Sequence, residues 1–196
     1  MRKGERTRKM IVERSAKVFN TQGYFGTSMS DLVRETGLEK GGIYNHFGSK
    51  EQLALEAFDF SAELVLGRIE EALEGEGTVR ERLINAVEVH RTLAKNRPIQ
   101  GGCPILNTAI EADDAQPALR EKAREAMDRW QELIVHTVRE GIANGELTPE
   151  TDPEALATVL ISTIEGAVMM SKLSGNIIYT HRAVDHLTRY LGSLAG

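Results

Sequence analysis

The sequence is poor in the residues that mark several classes of protein. It has one cysteine, five prolines and 5% aromatic residues among 196 positions. One cysteine excludes an internal disulfide framework and a structural zinc site, and it fits a reducing compartment. No run approaches the eighteen consecutive apolar residues of a transmembrane helix, and the charged N-terminal segment lacks the apolar centre of a signal peptide. We therefore expect a cytoplasmic chain that does not enter a membrane.

The common sequence motifs of enzymes are also missing. There is no Gly-x-Ser-x-Gly elbow, no phosphate-binding Gly-x4-Gly-Lys-Ser/Thr loop and no His-Glu-x-x-His pair. No metal site and no cofactor are predicted, because no two histidines are four residues apart in the set His46, His90, His136, His181 and His186. A small helical enzyme and an adaptor that binds only proteins remain alternatives to the function argued below. Binding to DNA would distinguish them from a regulator.

Apolar residues recur at three- and four-residue spacing along most of the chain, which predicts helices. Glycines, prolines and capping residues place the ends of about nine of them. The predicted ranges are 5–22, 28–36, 40–47, 50–74, 79–96, 104–114, 117–144, 153–174 and 181–194. The predicted fold class is therefore all-α.

Charge is distributed unevenly along the chain. The net charge is -5. Residues 1–50 nevertheless hold ten basic against five acidic side chains, while the remainder holds 14 basic against 24 acidic ones. A basic N-terminal part on an acidic body suggests that the first part meets a polyanion. A solvated basic helix face would give the same count, so the charge alone leaves both interpretations open.

Residues 27–50 contain two short predicted helices joined by a tight turn at 37–39, which is the helix-turn-helix arrangement. The second helix of such a pair enters the major groove. Gly41 and Gly42 at its start each cost about 1 kcal/mol relative to alanine, which close approach to another molecule would explain. A plain helical hairpin with two incidental glycines is the alternative. The residues able to reach bases or phosphates are Lys40, Tyr44, Asn45, His46 and Lys50.

This stretch closely resembles the TetR family of bacterial regulators. The resemblance runs through Gly23, Thr27-Ser28, Leu32-Val33, Gly37-Leu38, Lys40-Gly41, Ile43-Tyr44, His46-Phe47, Ser49-Lys50 and Leu53. It implies a helix-turn-helix DNA-binding domain over 1–48, a larger helical ligand-binding and dimerisation domain over 49–196, and repression of transcription that a small molecule relieves. It adds Thr27, Ser28 and Ser30 to the DNA-binding candidates. Ser30 stands where many members carry an arginine, and Gly42 where threonine or serine is common.

The predicted helix over 153–174 is apolar on too many sides to lie alone on a surface. Its small residues Ser162, Gly166, Ala167 and Ser171 would allow a second helix to approach closely. The helix over 181–194 has a further apolar stripe. We expect both to pack against their symmetry mates as a four-helix bundle in a homodimer. The alternative is that the first of them is the core helix of a monomer.

A ligand cavity is expected among the fourth to eighth helices. Its candidate wall residues, which are also typical of a plain core, are Phe58, Leu64, Leu106, Ile110, Met127, Trp130, Ile134, Met169 and Met170. The turn Gly101-Gly102-Cys103-Pro104 resembles a branch of the family that controls responses to reactive electrophiles. In that branch a cysteine in the equivalent turn acts with a lysine, and Lys172 stands at the matching position. Alternatively, Cys103 is a small apolar residue of the core and Lys172 an interface lysine.

Overall fold

The computed structural model consists of α-helices joined by short connections, and it describes residues 3–96, 98–112 and 116–194. Within these residues the helices are α1 (Lys3–Gly26), α2 (Met29–Thr36), α3 (Lys40–Tyr44), α4 (Lys50–Leu73), α5 (Val79–Lys95), α6 (Pro104–Glu111), α7 (Pro117–Ala143), α8 (Pro153–Ser174) and α9 (Ile178–Gly192). The predicted all-α fold with nine helices is confirmed for this part of the chain.

Capping residues begin and end the helices where local chemistry predicts. Ser28 is the N-cap of α2, and its hydroxyl accepts a hydrogen bond from the backbone N–H of Asp31. The Asp31 carboxylate accepts hydrogen bonds from the Ser28 hydroxyl and backbone N–H and from Arg34, which together lower the pKa of Asp31 to about 2. Gly37 ends α2 in the left-handed conformation, with φ 71°, and Gly175 ends α8 in the same way, with φ 66°.

The largest differences between the predicted helix ends and the structure concern α1, α3 and α9. The helix predicted to stop at Gly23 continues to Gly26, but Gly23 itself is non-helical, with φ 77° and ψ 169°. α3 ends at Tyr44 instead of 47, because the His46 N–H bonds to the Ile43 carbonyl and tightens the chain into a turn. α9 begins at Ile178, earlier than the predicted residue 181. The predicted end of α6 near Asp113-Asp114 lies outside the described residues.

The chain divides into two compact units. Unit 1 consists of Met1–Leu64 and Ile99–Glu125, and unit 2 of Val65–Pro98 and Ala126–Gly196. The chain passes from one unit to the other within α4, between α5 and α6, and within α7. The predicted boundary after residue 48 concerns function, and it stays a prediction.

The first part of unit 1 is a small bundle of α1, α2, α3 and the start of α4. Its core includes Ile11, Leu32, Ile43, Phe47 and Leu53, each at most 1% exposed. Ile43 lies within α3, and Phe47 lies in the turn that follows α3. Burial of these two side chains therefore fixes which face of α3 points outward.

In unit 2, α9 packs against both α5 and α8, and α8 also contacts α5. Among the described residues, α8 is the one helix whose length and composition would allow it to cross a membrane. However, 44% of its most apolar stretch is buried inside the protein, as in the core helix of a folded domain. The apolar character of α8 is therefore weak evidence for a membrane span.

The core of unit 2 contains one buried imidazole. His90 of α5 is 6% exposed, and its ring stacks on Trp130 of α7 with the centroids 5.5 Å apart. Burial disfavours the charged ring and lowers the pKa of His90 to about 4, against an ordinary value of about 6.5. His90 is therefore neutral at neutral pH.

This pKa predicts a dependence of stability on pH. Between about pH 6.5 and pH 4 the unfolded chain binds a proton at His90 that the folded chain does not, so the free energy of unfolding should fall as the pH falls. The loss attributable to His90 should approach about 3 kcal/mol. Urea unfolding of the wild type and of His90→Phe across this range checks it, since the variant should lack this part of the slope. Parallel profiles for the two proteins would contradict the prediction.

Candidate nucleic-acid interface

The outward face of α3 carries most of the side chains that the sequence marks as base or phosphate contacts. Lys40, Tyr44 and Asn45 are exposed, and His46 is half-buried beside them. The Lys40 ammonium lies 5.8 Å from the centroid of the Tyr44 ring, within the range of a cation–π contact. The structure therefore places Lys40 and Tyr44 on one solvent-facing side of α3, and Asn45 and His46 directly follow that helix.

The two glycines of α3 are not required by the fold. Neither has a positive φ. A Cβ atom on Gly41 would meet nothing within 4 Å, and one on Gly42 would lie at an ordinary 3.7 Å from the Leu38 Cβ. Gly41 is exposed and Gly42 half-buried. The absence of these two side chains thus leaves the backbone open to solvent without any benefit to the packing of the bundle.

Thr27, Ser28 and Ser30, near the start of α2, differ in their exposure and hydrogen bonds. Ser30 is exposed, and Ser28 is exposed while its hydroxyl closes the capping box. Thr27 is 2% exposed and donates its hydroxyl to the Gly23 carbonyl at 2.6 Å. Ser30 is therefore accessible to a ligand, whereas Ser28 closes the cap of α2 with Asp31 and Thr27 stabilises the bend between α1 and α2.

Lys50 is turned toward the end of α1. Its ammonium donates a hydrogen bond to the Tyr24 carbonyl at 2.6 Å and lies 4.2 Å from the centroid of the Tyr24 ring. Partial burial lowers the pKa of Lys50, and the nearby carboxylate of Glu111 opposes that shift. Lys50 thus orders the α1–α2 connection, and its contact with a phosphate stays a prediction.

The end of α1 is attached to α6 by a single carboxylate. Glu111 Oε2 accepts a hydrogen bond from the Tyr24 N–H at 2.9 Å, and Oε1 accepts one from the Phe25 N–H at 3.0 Å. The non-helical conformation of Gly23 leaves these groups available. A Cβ on Gly23 would lie 2.4 Å from Glu111 Oε1, so only glycine allows this approach.

A second set of hydrogen bonds connects α1 to the turn that precedes α6. The Asn20 side-chain NH2 donates to the carbonyls of Gln100 at 2.6 Å and Gly102 at 3.1 Å. The Asn107 NH2 donates to the Asn20 side-chain oxygen at 3.0 Å and to the Gly101 carbonyl at 2.9 Å. Gly101 has φ 108°, and a Cβ there would lie 2.3 Å from the Asn20 carbonyl. The turn at 100–102 is therefore fitted closely to α1.

Sequence reasoning missed this attachment of α1 to α6. Asn20 and Gly102 are separated by 82 positions, and Glu111 and Tyr24 by 87, so no local spacing relates them. The one signal in the sequence is the pair Gly101-Gly102 directly before a helix, which is typical of a close backbone approach.

The candidate sensor residues are divided between the two units. In unit 1, Cys103 is the half-buried N-cap of α6, Leu106 is half-buried, and Ile110 is 69% exposed. In unit 2, Trp130 is buried and Met127 half-buried, whereas Met169, Met170 and Lys172 are exposed. Cys103 and Lys172 thus belong to different units, and their predicted cooperation stays a prediction.

Each unit contains a small cavity. The cavity of unit 1 has a volume of about 30 Å³ and is bordered by Phe19, Tyr24, Phe58 and Glu111 among others. The cavity of unit 2 has a volume of about 20 Å³ and is bordered by Trp130, Ile134 and His90 together with aliphatic side chains. Phe58, Trp130 and Ile134 are the predicted wall residues that reach these cavities.

No group of three or more metal-ligating side chains occurs among the described residues.

Comparison with known proteins identifies the family. The family model "Bacterial regulatory proteins, tetR family" matches residues 11–57, and the model "Tetracyclin repressor-like, C-terminal domain" matches 79–187. A TetR transcriptional regulator of Chloroflexus aurantiacus is 47% identical in its crystal structure, with a TM-score of 0.94 over 100% of this chain and 98% of that one. An HTH-type transcriptional regulator of Mycobacterium tuberculosis is 31% identical over 92% of this chain and 93% of its own length.

The chain belongs to the TetR family of bacterial transcriptional regulators. The family consists of DNA-binding regulators, which excludes the enzyme alternative for this protein. A further TetR-family relative is the HTH-type transcriptional repressor NemR of Escherichia coli, which is 24% identical over 96% of both chains. The crystal structure of NemR in its reduced form shares the fold, with a TM-score of 0.83 over 97% of each chain at 21% identity. The exposed face of α3 lies within residues 11–57, the segment that matches the model of the bacterial regulatory proteins of this family.

Proposed function

We propose that this TetR regulator is a cytoplasmic repressor that binds double-stranded operator DNA as a homodimer and releases it in response to a small molecule or a thiol modification. The observation that carries the proposal is the outward face of α3, whose two glycines have no role in packing. A DNA-binding domain would occupy residues 1–48, and ligand binding and dimerisation residues 49–196. The relative NemR is named a repressor, which supports the direction of regulation.

In this proposal α3 enters the major groove with its N-terminal residues against the bases. Gly41 and Gly42 allow the backbone to approach the duplex, while Lys40, Tyr44 and Asn45 contact base edges and phosphates. His46, Ser28 and Ser30 contact the flanking backbone of the duplex. Thr27 and Lys50 contribute by ordering the α1–α2 connection that presents the cap of α2.

Replacing Gly41 with alanine should change stability and operator affinity in opposite directions. Because a Cβ at this position has open space and alanine favours the helix, Gly41→Ala should raise the free energy of unfolding by about 0.5 kcal/mol. It should nevertheless weaken operator binding about tenfold or more, because the methyl group prevents close approach to the duplex. Gel shifts with DNA from upstream of the protein's own coding sequence, together with thermal unfolding, measure both. A stabilised variant with full operator affinity would overturn the role of α3.

A pair of charge variants tests the contribution of Lys40 to operator binding. Lys40→Ala should weaken binding and reduce the slope of log K against log salt by about 1, because one released counterion is lost. Arg120 is an exposed cation of α7, outside the proposed interface, and Arg120→Ala should leave that slope unchanged. Equal effects of the two variants would show that only overall charge matters.

The proposed dimer uses the exposed side of α8. Val159, Ser162, Gly166, Met169 and Leu173 follow one another at alternating spacings of three and four residues, which is the pattern of a helix–helix seam. Val159 is 46%, Met169 50% and Leu173 87% exposed, although all three are apolar. Residues 153–174 and 181–194 would therefore meet their symmetry mates. Two copies of α3 would then occupy half-sites about 34–36 Å apart.

A charge placed in this seam should separate the dimer. Met169→Lys would bury one unpaired ammonium per protomer, and several kcal/mol of desolvation per ion should raise the dimer Kd by about a hundredfold or more. Ala143→Lys places the same charge on an exposed position of α7 and is the control. Sedimentation velocity measures the association, and operator affinity should fall only in the first variant. A wild type that sediments as a monomer at micromolar concentration would contradict the dimer.

Induction is proposed to act on unit 1 through α6. Cys103 is the N-cap of α6, where the free backbone N–H groups favour a thiolate. It directly follows the turn at 100–102 that accepts the hydrogen bonds of Asn20. A modification of the thiol, or an inducer that shifts α5, α6 and α7, would disturb this turn and the Glu111 contacts. The end of α1 and the start of α4 would then move, and the separation of the two copies of α3 would change.

Induction by modification of a thiol can be tested directly, because Cys103 is the one cysteine of the sequence. Treatment with 1,4-benzoquinone, which adds to a thiolate, should weaken operator binding by the wild type about tenfold. Cys103→Ser should bind the operator normally and should not respond, and Lys172→Ala should respond more slowly. An undiminished response of Cys103→Ser would eliminate the thiol sensor and leave induction by a non-covalent ligand.

A further inference from the structure

The cavity of unit 2 is bordered by His90, whose ring contains a buried polar atom that the fold does not satisfy. His90 Nδ1 lies 3.3 Å from the Val87 carbonyl oxygen on the preceding turn of α5. A carbonyl can only accept a hydrogen bond, so Nδ1 carries the proton. Nε2 on the other side of the ring is buried, and no hydrogen-bond partner for it lies among the described residues. Leaving a buried acceptor unpaired is unfavourable, so such an atom indicates a ligand or a water.

The protonation state of His90 defines what this atom can bind. Burial lowers the pKa of His90 to about 4, so the ring is neutral at neutral pH. With the proton on Nδ1, Nε2 presents a lone pair and is a pure acceptor. The complementary group is therefore a hydrogen-bond donor, such as a hydroxyl, and not a carboxylate or another anion. The stacked ring of Trp130 fixes the orientation of the imidazole.

The other lining residues of the cavity determine the apolar part of the ligand. Apart from His90 and Trp130, its lining consists of aliphatic side chains from α4, α5, α7 and α8, including Leu83 and Ile164. The present volume of about 20 Å³ corresponds to roughly one water molecule. The hydroxyl of an organic ligand would fill this space, and the rest of the ligand would press the aliphatic walls of α5, α7 and α8 apart.

We infer that the inducer of this regulator is a neutral, mainly apolar molecule carrying a phenol or alcohol hydroxyl, which donates a hydrogen bond to His90 Nε2 in the cavity of unit 2. This inference rests on the proposed function, because it names the ligand class of the proposed sensor. It assigns recognition of the ligand to His90.

Phenol and toluene are suitable probes, since they have the same size and differ in the donor. His90→Phe keeps a ring against Trp130 and removes the acceptor. The ratio of the toluene Kd to the phenol Kd, measured by calorimetry, should fall about tenfold from the wild type to His90→Phe, because one hydrogen bond is lost. Comparing ratios cancels the difference in hydrophobicity between the probes. An equal ratio in both proteins, or no saturable binding of phenol to the wild type, would overturn the inference.

A second measurement does not depend on the variant folding. In wild-type protein with 15N-labelled histidine, the acceptor-type Nε2 resonance of His90 should shift on addition of phenol and should not shift with toluene. No shift with phenol would show that only water occupies the cavity. Operator binding by the ligand-free wild type is measured separately. Absence of operator binding by the ligand-free protein would contradict the proposed function, whereas the Kd ratio and the resonance test the inference alone.

Discussion

The carboxylate of Glu111 holds the end of α1 through two backbone N–H groups, and the placement of the proposed DNA-binding residues depends on that contact. Hydrogen bonds to an ionised group are stronger than those between neutral groups, and these two act on the same short segment. The bend at Gly23 makes the N–H groups available, and the contacts of Thr27 and Lys50 maintain the bend. The start of α2 is therefore positioned by a side chain of α6.

The recognition surface depends on tertiary packing for its order. α3 has five residues, far fewer than an isolated helix needs in water. Ile43 and Phe47 anchor it in the core of the bundle, and both are 1% exposed. Its outward residues have no comparable partners, apart from the Lys40–Tyr44 contact. The inner face of α3 thus stabilises the bundle, while the outer face remains available for binding.

The sequence predicts local features of this fold well, because their causes are local. Ser28, Gly37 and Gly175 mark helix ends through hydrogen bonds and backbone conformations formed within a few residues. The exposure of Gly41 and Tyr44 follows from the periodicity of their neighbours. The contacts of Glu111 with α1 were not predictable, since they join residues far apart in the chain. The length of α3 was overestimated, because tightening of a final helical turn depends on tertiary packing.

The open space around Gly41 and Gly42 also affects how relatives of this protein diverge. A side chain at position 41 meets no atom within 4 Å, and one at position 42 makes an ordinary contact with Leu38, so substitutions there carry little cost in folding free energy. If α3 reads the operator as proposed, selection can alter that operator without first compensating for a loss of stability. A lineage of such regulators can then acquire new target genes through changes at outward positions such as 40, 41 and 44, while the interior of the bundle stays constant.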